Sequence, residues 1–462
     1  MRERPIRPDL RHARGQPGGH RKDNERAGPT RYDTGMARSL RLARWPLLPS
    51  EATADAGVLL RARGVRAFGD GFVSVLLPLH LTTLGFDGFQ IGAIATATLL
   101  GSAALTLLVG LVAYRLGRQL LLLRASLLMI ATGLGFAFVH DFWPLLAVAF
   151  AGTLNPSSGD VSVFLPTEQA LLPQTVSDRQ RTALFARYSL VGSLVAAAGA
   201  LTAGLPELVA GETGLSLAHA LDGMFLLYAL LGLVVLLLYR GLSPAIEPDV
   251  NTAAAPLTTS KGIVTKLAAL FSLDSFGSGL VVQSLLALWL FQRFEVSVAT
   301  VGVIFFWTGV LSAFSALVAV RIASRIGLLE TAVFTHLPAN LFLVLTPFMP
   351  NVELAVAFLL LRSALSQMDV PVRNSYVMAV VSPAERPAAA SVTAVPKSLA
   401  AALAPLLSGW LFSLSIFGWP LVIAGALKGV YDVLLLVMFK SVRPPEEAER
   451  QAEATRGSDP AG

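Results

Sequence analysis

The sequence predicts an all-α integral membrane protein with twelve transmembrane helices in two pseudo-symmetric six-helix halves. Three observations lead there: an apolar, charge-poor composition, twelve separate bilayer-length apolar runs, and an internal repeat of about 210 residues. Of 462 residues, 54% are apolar and only 14% charged, with a mean hydropathy of +0.63. An ordinary soluble domain is about a quarter charged. The charge that is present is pushed outward: residues 1–64 and 440–462 carry 30 of the 66 formal charges.

A helix rises 1.5 Å per residue, so about 20 apolar residues cross a bilayer. Runs of that length fall at 65–84, 89–113, 119–139, 144–171, 182–205, 220–239, 263–291, 299–320, 326–348, 353–381, 388–412 and 420–439. With the N-terminus in the cytoplasm, Arg115, Arg118, Arg124, Arg179, Arg181, Arg240, Lys261, Lys266, Arg321, Arg325 and Arg386 share one side. The opposite loops hold Asp87, Asp141, Glu207, Glu212, Glu295 and Glu353 with a single cation, Arg293. That asymmetry predicts a multi-pass protein of the cell inner (plasma) membrane with both termini cytoplasmic. It also accounts for the basic balance without nucleic acid as a partner.

The expected organisation is a basic, disordered cytoplasmic tail (1–64, with Met36 as an alternative start), an N-terminal half (65–240), a Pro/Ala/Ser/Thr-rich cytoplasmic linker (241–262), a C-terminal half (263–440) and a cytoplasmic tail (441–462). No short apolar core with a cleavage site precedes the first run, so no secretory signal is read. There is no cysteine, which removes disulfides and thiolate sites. No phosphate-binding loop or HExxH pattern occurs and the six histidines are scattered, so neither an enzyme, a metal nor a cofactor is expected.

The repeat pairs "FQIGAIATATLLGSAALTLLVGLVAYRLGR" (89–118) with "ATVGVIFFWTGVLSAFSALVAVRIASRIGL" (299–328), placing Gly92 on Gly302, Arg115 on Arg325 and Gly117 on Gly327. Further along, Asp160 falls on Asp369 and Arg187 on Lys397. Two parallel six-span repeats are a transporter architecture, with the solute handled between them near the midplane.

Over residues 65–440 the chain resembles the major facilitator superfamily. The most specific match is "GLVAYRLGRQ" (110–119), similar to the family's loop signature between spans two and three. Gly110, Arg115, Gly117 and Arg118 match; Tyr114 replaces the Asp, and Gln119 the second base. The resemblance implies that this loop gates the cytoplasmic side through contacts with neighbouring helix ends, and that spans one, four, seven and ten line the cavity. The antiporter glycine run of span five is absent. The chain is therefore expected to be a secondary transporter, working as a monomer in the lipid bilayer, that moves a small molecule by alternating access, with protons as a coupling partner. Efflux of amphiphilic compounds and a transport-dead sensor stand as alternatives.

Charges inside the spans carry the site expectations, because an ionised side chain at a helix centre costs about 2.5–3.5 kcal/mol. Arg362, Ser366, Asp369 and Arg373 share one face of span ten. Asp369 lies about 18 Å from the cytoplasmic end of its span and Lys397 about 17 Å, which predicts an Asp369–Lys397 pair and its twin, Asp160–Arg187, as helix-pairing or gating devices. Arg362 has no charged twin, since its repeat position is near Thr153, and is the leading anion-binding candidate. Asp274, with no cation near it in sequence, is the candidate proton carrier, with Asp70 beside Arg66 as the other. Gln283 and Gln367 are further cavity candidates. Lys428 and Asp432 are expected to neutralise each other, and His80 and His336 to be hydrogen-bonded near span ends.

Overall fold

The computed structural model describes residues 48, 52–157, 163–177, 180–243, 258, 260–381 and 385–440. Among these there are sixteen α-helices and no strand. Helices α1 (Ala54–Thr83), α2 (Gly88–Leu116) and α3 (Arg118–Phe138) each cross as one piece. The fourth span contains α4 (Phe142–Ala151), followed by non-helical residues 152–157, and α5 (Phe164–Leu171). Then come α6 (Arg181–Leu201), a short α7 (Leu205–Thr213) and α8 (Leu217–Arg240). The second half repeats the plan with α9 (Lys261–Leu280) and α10 (Gln283–Phe294) as a broken seventh span, α11 (Val298–Ile326), α12 (Leu328–Leu345), α13 (Val352–Ser366) and α14 (Asp369–Val380) as a broken tenth, α15 (Arg386–Leu414) and α16 (Trp419–Phe439).

Among the described residues, nine helical runs are long and apolar enough to cross a membrane unaided. The three remaining predicted spans are one, four and ten. Span one carries Arg61, Arg63, Arg66 and Asp70, and the other two are interrupted. The polar cost of a cavity-lining span is therefore visible as a departure from simple hydropathy. Large apolar side chains such as Trp143 (75% exposed) and Val437 (73%) point outward, which suits a surface facing acyl chains.

Packing repeats between the halves. Span one packs on spans five and six (α1 on α6 and α8), as seven does on eleven and twelve (α9 on α15 and α16). Span three packs on six (α3 on α8), as nine does on twelve (α12 on α16). The halves meet through α2 against α15 and α6 against α11. Gly117 and Gly327, matched by the repeat, both break the chain at positive φ (75° and 101°) with extended ψ. A side chain is disfavoured at those angles.

Three boundaries differ from the sequence reading. Helix α1 begins eleven residues early, because Asp55 in its first turn accepts hydrogen bonds from Ser243 N and Oγ (2.9 and 2.7 Å) past the end of α8. That contact anchors a turn too polar to be read as membrane. Span seven breaks at Val281–Val282, just after the "GSG" of 277–279. The short α7, opened by Pro206 and ended by left-handed Gly214, extends span five on the far side.

Candidate functional site

Each half holds a buried carboxylate that collects donors from several spans. In the first, Glu168 on α5 is fully buried and pairs with Arg66 of α1, while the Tyr188 hydroxyl of α6 donates to the same Oε2. Tyr239 of α8 donates to Oε1 at 2.5 Å. One carboxylate thus ties spans one, four, five and six together. The Arg66 guanidinium also lies over the Phe164 ring at 4.3 Å, a cation–π contact that offsets part of its desolvation. Asp70, expected to pair with Arg66 along the helix, lies close enough to act on both Arg66 and Tyr228. The hydrogen-bonded ion pair of Arg66, however, crosses to span four.

In the second half the hub is Asp274 on α9. Arg373 Nη1 donates to its Oδ2 at 2.8 Å and Lys428 Nζ to its Oδ1 at 2.6 Å, with His336 Nε2 4.0 Å from Oδ1. This corrects the expectation of a carboxyl without a cation: the cations come from spans ten and twelve, 99 and 154 residues away, where local sequence cannot show them. It also separates Lys428 from Asp432. The latter instead accepts from Asn340 Nδ2 and meets His336 Nδ1, both at 2.8 Å. His336 lies mid-span rather than near an end, nine residues into α12. His80 does follow expectation, buried and bonded to the Phe136 carbonyl oxygen.

Asp369 pairs with Arg373 one turn on (3.3 Å) and not with Lys397, which makes no ion pair among the described residues. The cause is the break at Gln367–Met368: it starts a new helix at Asp369, so Asp369 and Arg373 share the first turns of α14 while Arg373 bridges to Asp274. Asp160 lies outside the described residues, and with it the expected pair with Arg187. The Arg115 side chain lies outside them too. Arg118 Nη1 is buried without a hydrogen-bond partner. The contact expected of that loop is made by Gln119, whose Nε2 donates to the Tyr239 and Leu242 carbonyls (3.1 and 3.2 Å). These are carbonyls at and just past the end of α8, where the regular helical pattern stops.

Arg362 belongs to neither hub. It is the eleventh residue of α13, about 15 Å along the helix and so near the middle of a hydrocarbon core of about 30 Å. It is half-buried, its Nε is buried without a partner, and it makes no ion pair or hydrogen bond among the described residues. Arg362 stands within the field of Asp274.

The two glutamines mark helix breaks, Gln367 ending α13 and Gln283 opening α10. Sequence reasoning missed the polar atoms beside them. Ser284 Oγ and Thr153 Oγ1 are buried and unpartnered, and Ser284 N donates to the Pro156 carbonyl at 2.9 Å. That bond joins the break of span four to the break of span seven, across the two halves.

On the side away from the helix hairpins at Gly117 and Gly327, the halves are in close contact. A methyl added at Gly92 would meet Pro405 O and Gly409, one at Gly409 would meet Gly88 O and Gly92, and one at Gly302 would meet Ala200 O. Glu207 accepts from Val298 N there (3.4 Å).

The fold is shared with known proteins. An uncharacterized membrane protein of Saccharomyces cerevisiae is 25% identical over 426 residues, covering 85% of this chain and 95% of that protein. Among solved structures, the nucleoside transporter NupG superposes with a TM-score of 0.66 at 16% identity, covering 84% of this chain and all of that one. A bacterial homolog of the human lysosomal transporter Spinster, inward-facing and unoccupied, gives 0.63 at 13% identity (83% and 95% covered). The human organic anion transporter MFSD10 (TETRAN) gives 0.57 at 19% identity (82% and 98% covered). The family model for the Major Facilitator Superfamily matches twice, at residues 62–272 and 267–460, one match for each half. The chain is a multi-pass membrane protein of the transporter kind, not an enzyme, and it belongs to the Major Facilitator Superfamily.

Proposed function

We propose that this protein is a secondary active transporter that moves a small anionic solute by alternating access, with Arg362 as the residue that holds the anion. The observation that carries this reading is the state of Arg362: at mid-membrane depth, with a buried Nε and no partner. Arg66, Arg373 and Lys428 are each engaged by a carboxylate. A guanidinium held in the membrane at a cost of about 2.5–3.5 kcal/mol, without internal compensation, is ready for a ligand that brings its own negative charge. Its planar fork suits carboxylate or phosphate. Gln367 and Gln283, at the breaks on either side of that depth, add neutral hydrogen-bonding groups for the rest of the solute.

The excess of basic residues on the side of both termini supports a cytoplasmic location for them in a plasma membrane, with 241–262 linking two halves in a monomer. With that orientation, the close packing of α2 on α15 and α6 on α11 seals the outer side, so the conformation faces inward, as one fold neighbour does. Arg115, Gly117, Arg118 and Gln119 then sit at the inner gate. Asp369 with Arg373 and Arg187 with Asp160 act as helix-pairing charges.

A ligand-stabilisation screen of the purified protein tests the substrate class. Anionic metabolites should raise the melting temperature of the wild type and leave Arg362→Ala unmoved, while Arg362→Lys should retain a weaker response. Stabilisation only by cationic amphiphiles, undiminished in Arg362→Ala, would replace this reading with efflux of amphiphilic compounds.

A further inference from the structure

We infer that His336 is a proton-binding site, and that the chain Asp432–His336–Asp274 couples its protonation to the packing of spans seven, nine, ten and twelve. The ring is buried in α12 (3% exposed) and lies between two carboxylates. Nδ1 is 2.8 Å from Asp432 Oδ1, whose other oxygen is held by Asn340. A ring donating from Nδ1 to Asp432 turns the lone pair of Nε2 toward Asp274 Oδ1, 4.0 Å away. That is a lone pair facing an anion across a gap, an arrangement a proton converts into an ion pair.

The ring sits inside a larger charged cluster. Within it, Arg373 pairs with Asp274 and Asp369, Lys428 with Asp274, and His336 with Asp432. The remaining groups on the packed elements are Tyr431 on α16, its ring 6.1 Å from that of His336, Tyr376 on α14, Arg362 on α13, and Lys397 on α15 across from Asp274. Glu330, Arg321 and Arg325 stand around the Gly327 hairpin, nine residues along from His336. Neither Arg362 nor Lys397 makes an ion pair among the described residues.

The step is a simple proton addition. A proton from water bonds to the Nε2 lone pair and gives an imidazolium, and the reverse step returns it. The new Nε2–H competes for Asp274 Oδ1 with Lys428, now at 2.6 Å, so protonation loosens the link between spans seven and twelve and forms one between seven and nine. A small cavity lined by Phe271, Leu328, Ala332, Arg373, Tyr376 and Leu435 opens between spans seven, nine, ten and twelve. It reaches Ala332, one helical turn before His336. The site stands on its own geometry; the consequence for transport rests on the alternating-access reading.

The test uses the full chain in lipid, labelled with ¹⁵N-histidine and followed by NMR over about pH 5 to 8, the range in which histidine changes charge. The His336 signal is assigned by elimination, replacing each of the other five histidines with glutamine. In parallel, spin labels on Arg240→Cys and Lys440→Cys, introduced into a chain that has no native cysteine, report the separation of the two halves in wild type and in His336→Gln. Conversion of His336 from Nδ1–H neutral to doubly protonated, with a pH-dependent shift in label separation that His336→Gln loses, is the expected result. A ring fixed in one form across the range, or a separation that shifts equally in His336→Gln, overturns the inference. A ring that titrates while the wild-type separation never changes overturns the coupling of the proton site to helix packing.

Discussion

At the level of single residues, the apolar background made the intramembrane charges easy to find and their partners hard to name. Arg66, Asp274, Asp369, Arg373 and Lys428 stand out because each interrupts a run that would otherwise cross the membrane. Partner choice is a tertiary property: Lys428 is one turn from Asp432 yet reaches Asp274 at 2.6 Å, and Asp369 prefers the arginine of its own helix to a lysine at matching depth. Glu168 shows the same limit, being visible in sequence only as one acid in span four. Removing one partner of a buried pair leaves the other uncompensated, at about 3–5 kcal/mol. Glu168→Gln should therefore lower the melting temperature markedly by stranding Arg66, and Asp274→Asn, which strands two cations, should cost more than Asp369→Asn, which leaves Arg373 on Asp274. Thermal unfolding of the variants in one detergent checks the ranking; equal effects for the two aspartates would contradict the hub role of Asp274.

Helices were legible where hydropathy alone decides them and less so where polarity was tolerated for a purpose. The Gly117–Gly327 correspondence could be read because two similar segments both place a glycine where a helix must end, and both adopt positive φ. Gly117→Ala and Gly327→Ala should each cost about 1–3 kcal/mol, the usual range for a side chain in sparsely populated backbone space. The break of span seven went unread because "GSGLVV" serves close helix packing as readily as it serves a turn. The close approach of α15 to α2 makes a further prediction. Gly409→Leu should force the outer ends apart, so labels on Leu215→Cys and Glu353→Cys should separate relative to the unwedged protein. An unchanged separation would mean that this contact does not set the conformation.

For the molecule as a whole, the repeat carried the architecture. A 210-residue shift in the sequence became the same set of helix contacts in both halves, and the family model matches each half in turn. Where the halves differ, function is the natural reason: Arg362 occupies the position of an uncharged Thr153, and symmetry alone would not place a cation there. The cargo stayed outside the sequence's reach, because it is set by where the side chains of several spans converge, and that depends on breaks at residues 152–157, 281–282 and 367–368 that no periodicity displays.

Transport itself is the most direct test. Proteoliposomes bearing the wild-type protein or Arg362→Ala are loaded with a defined mixture of anionic, neutral and cationic solutes, and the loss of each is followed by mass spectrometry under an imposed pH gradient. Depletion of one or more anions by the wild type, absent in a correctly folded Arg362→Ala, is the predicted result. Exit of only neutral or cationic solutes, or equal anion exit from both proteins, would contradict it.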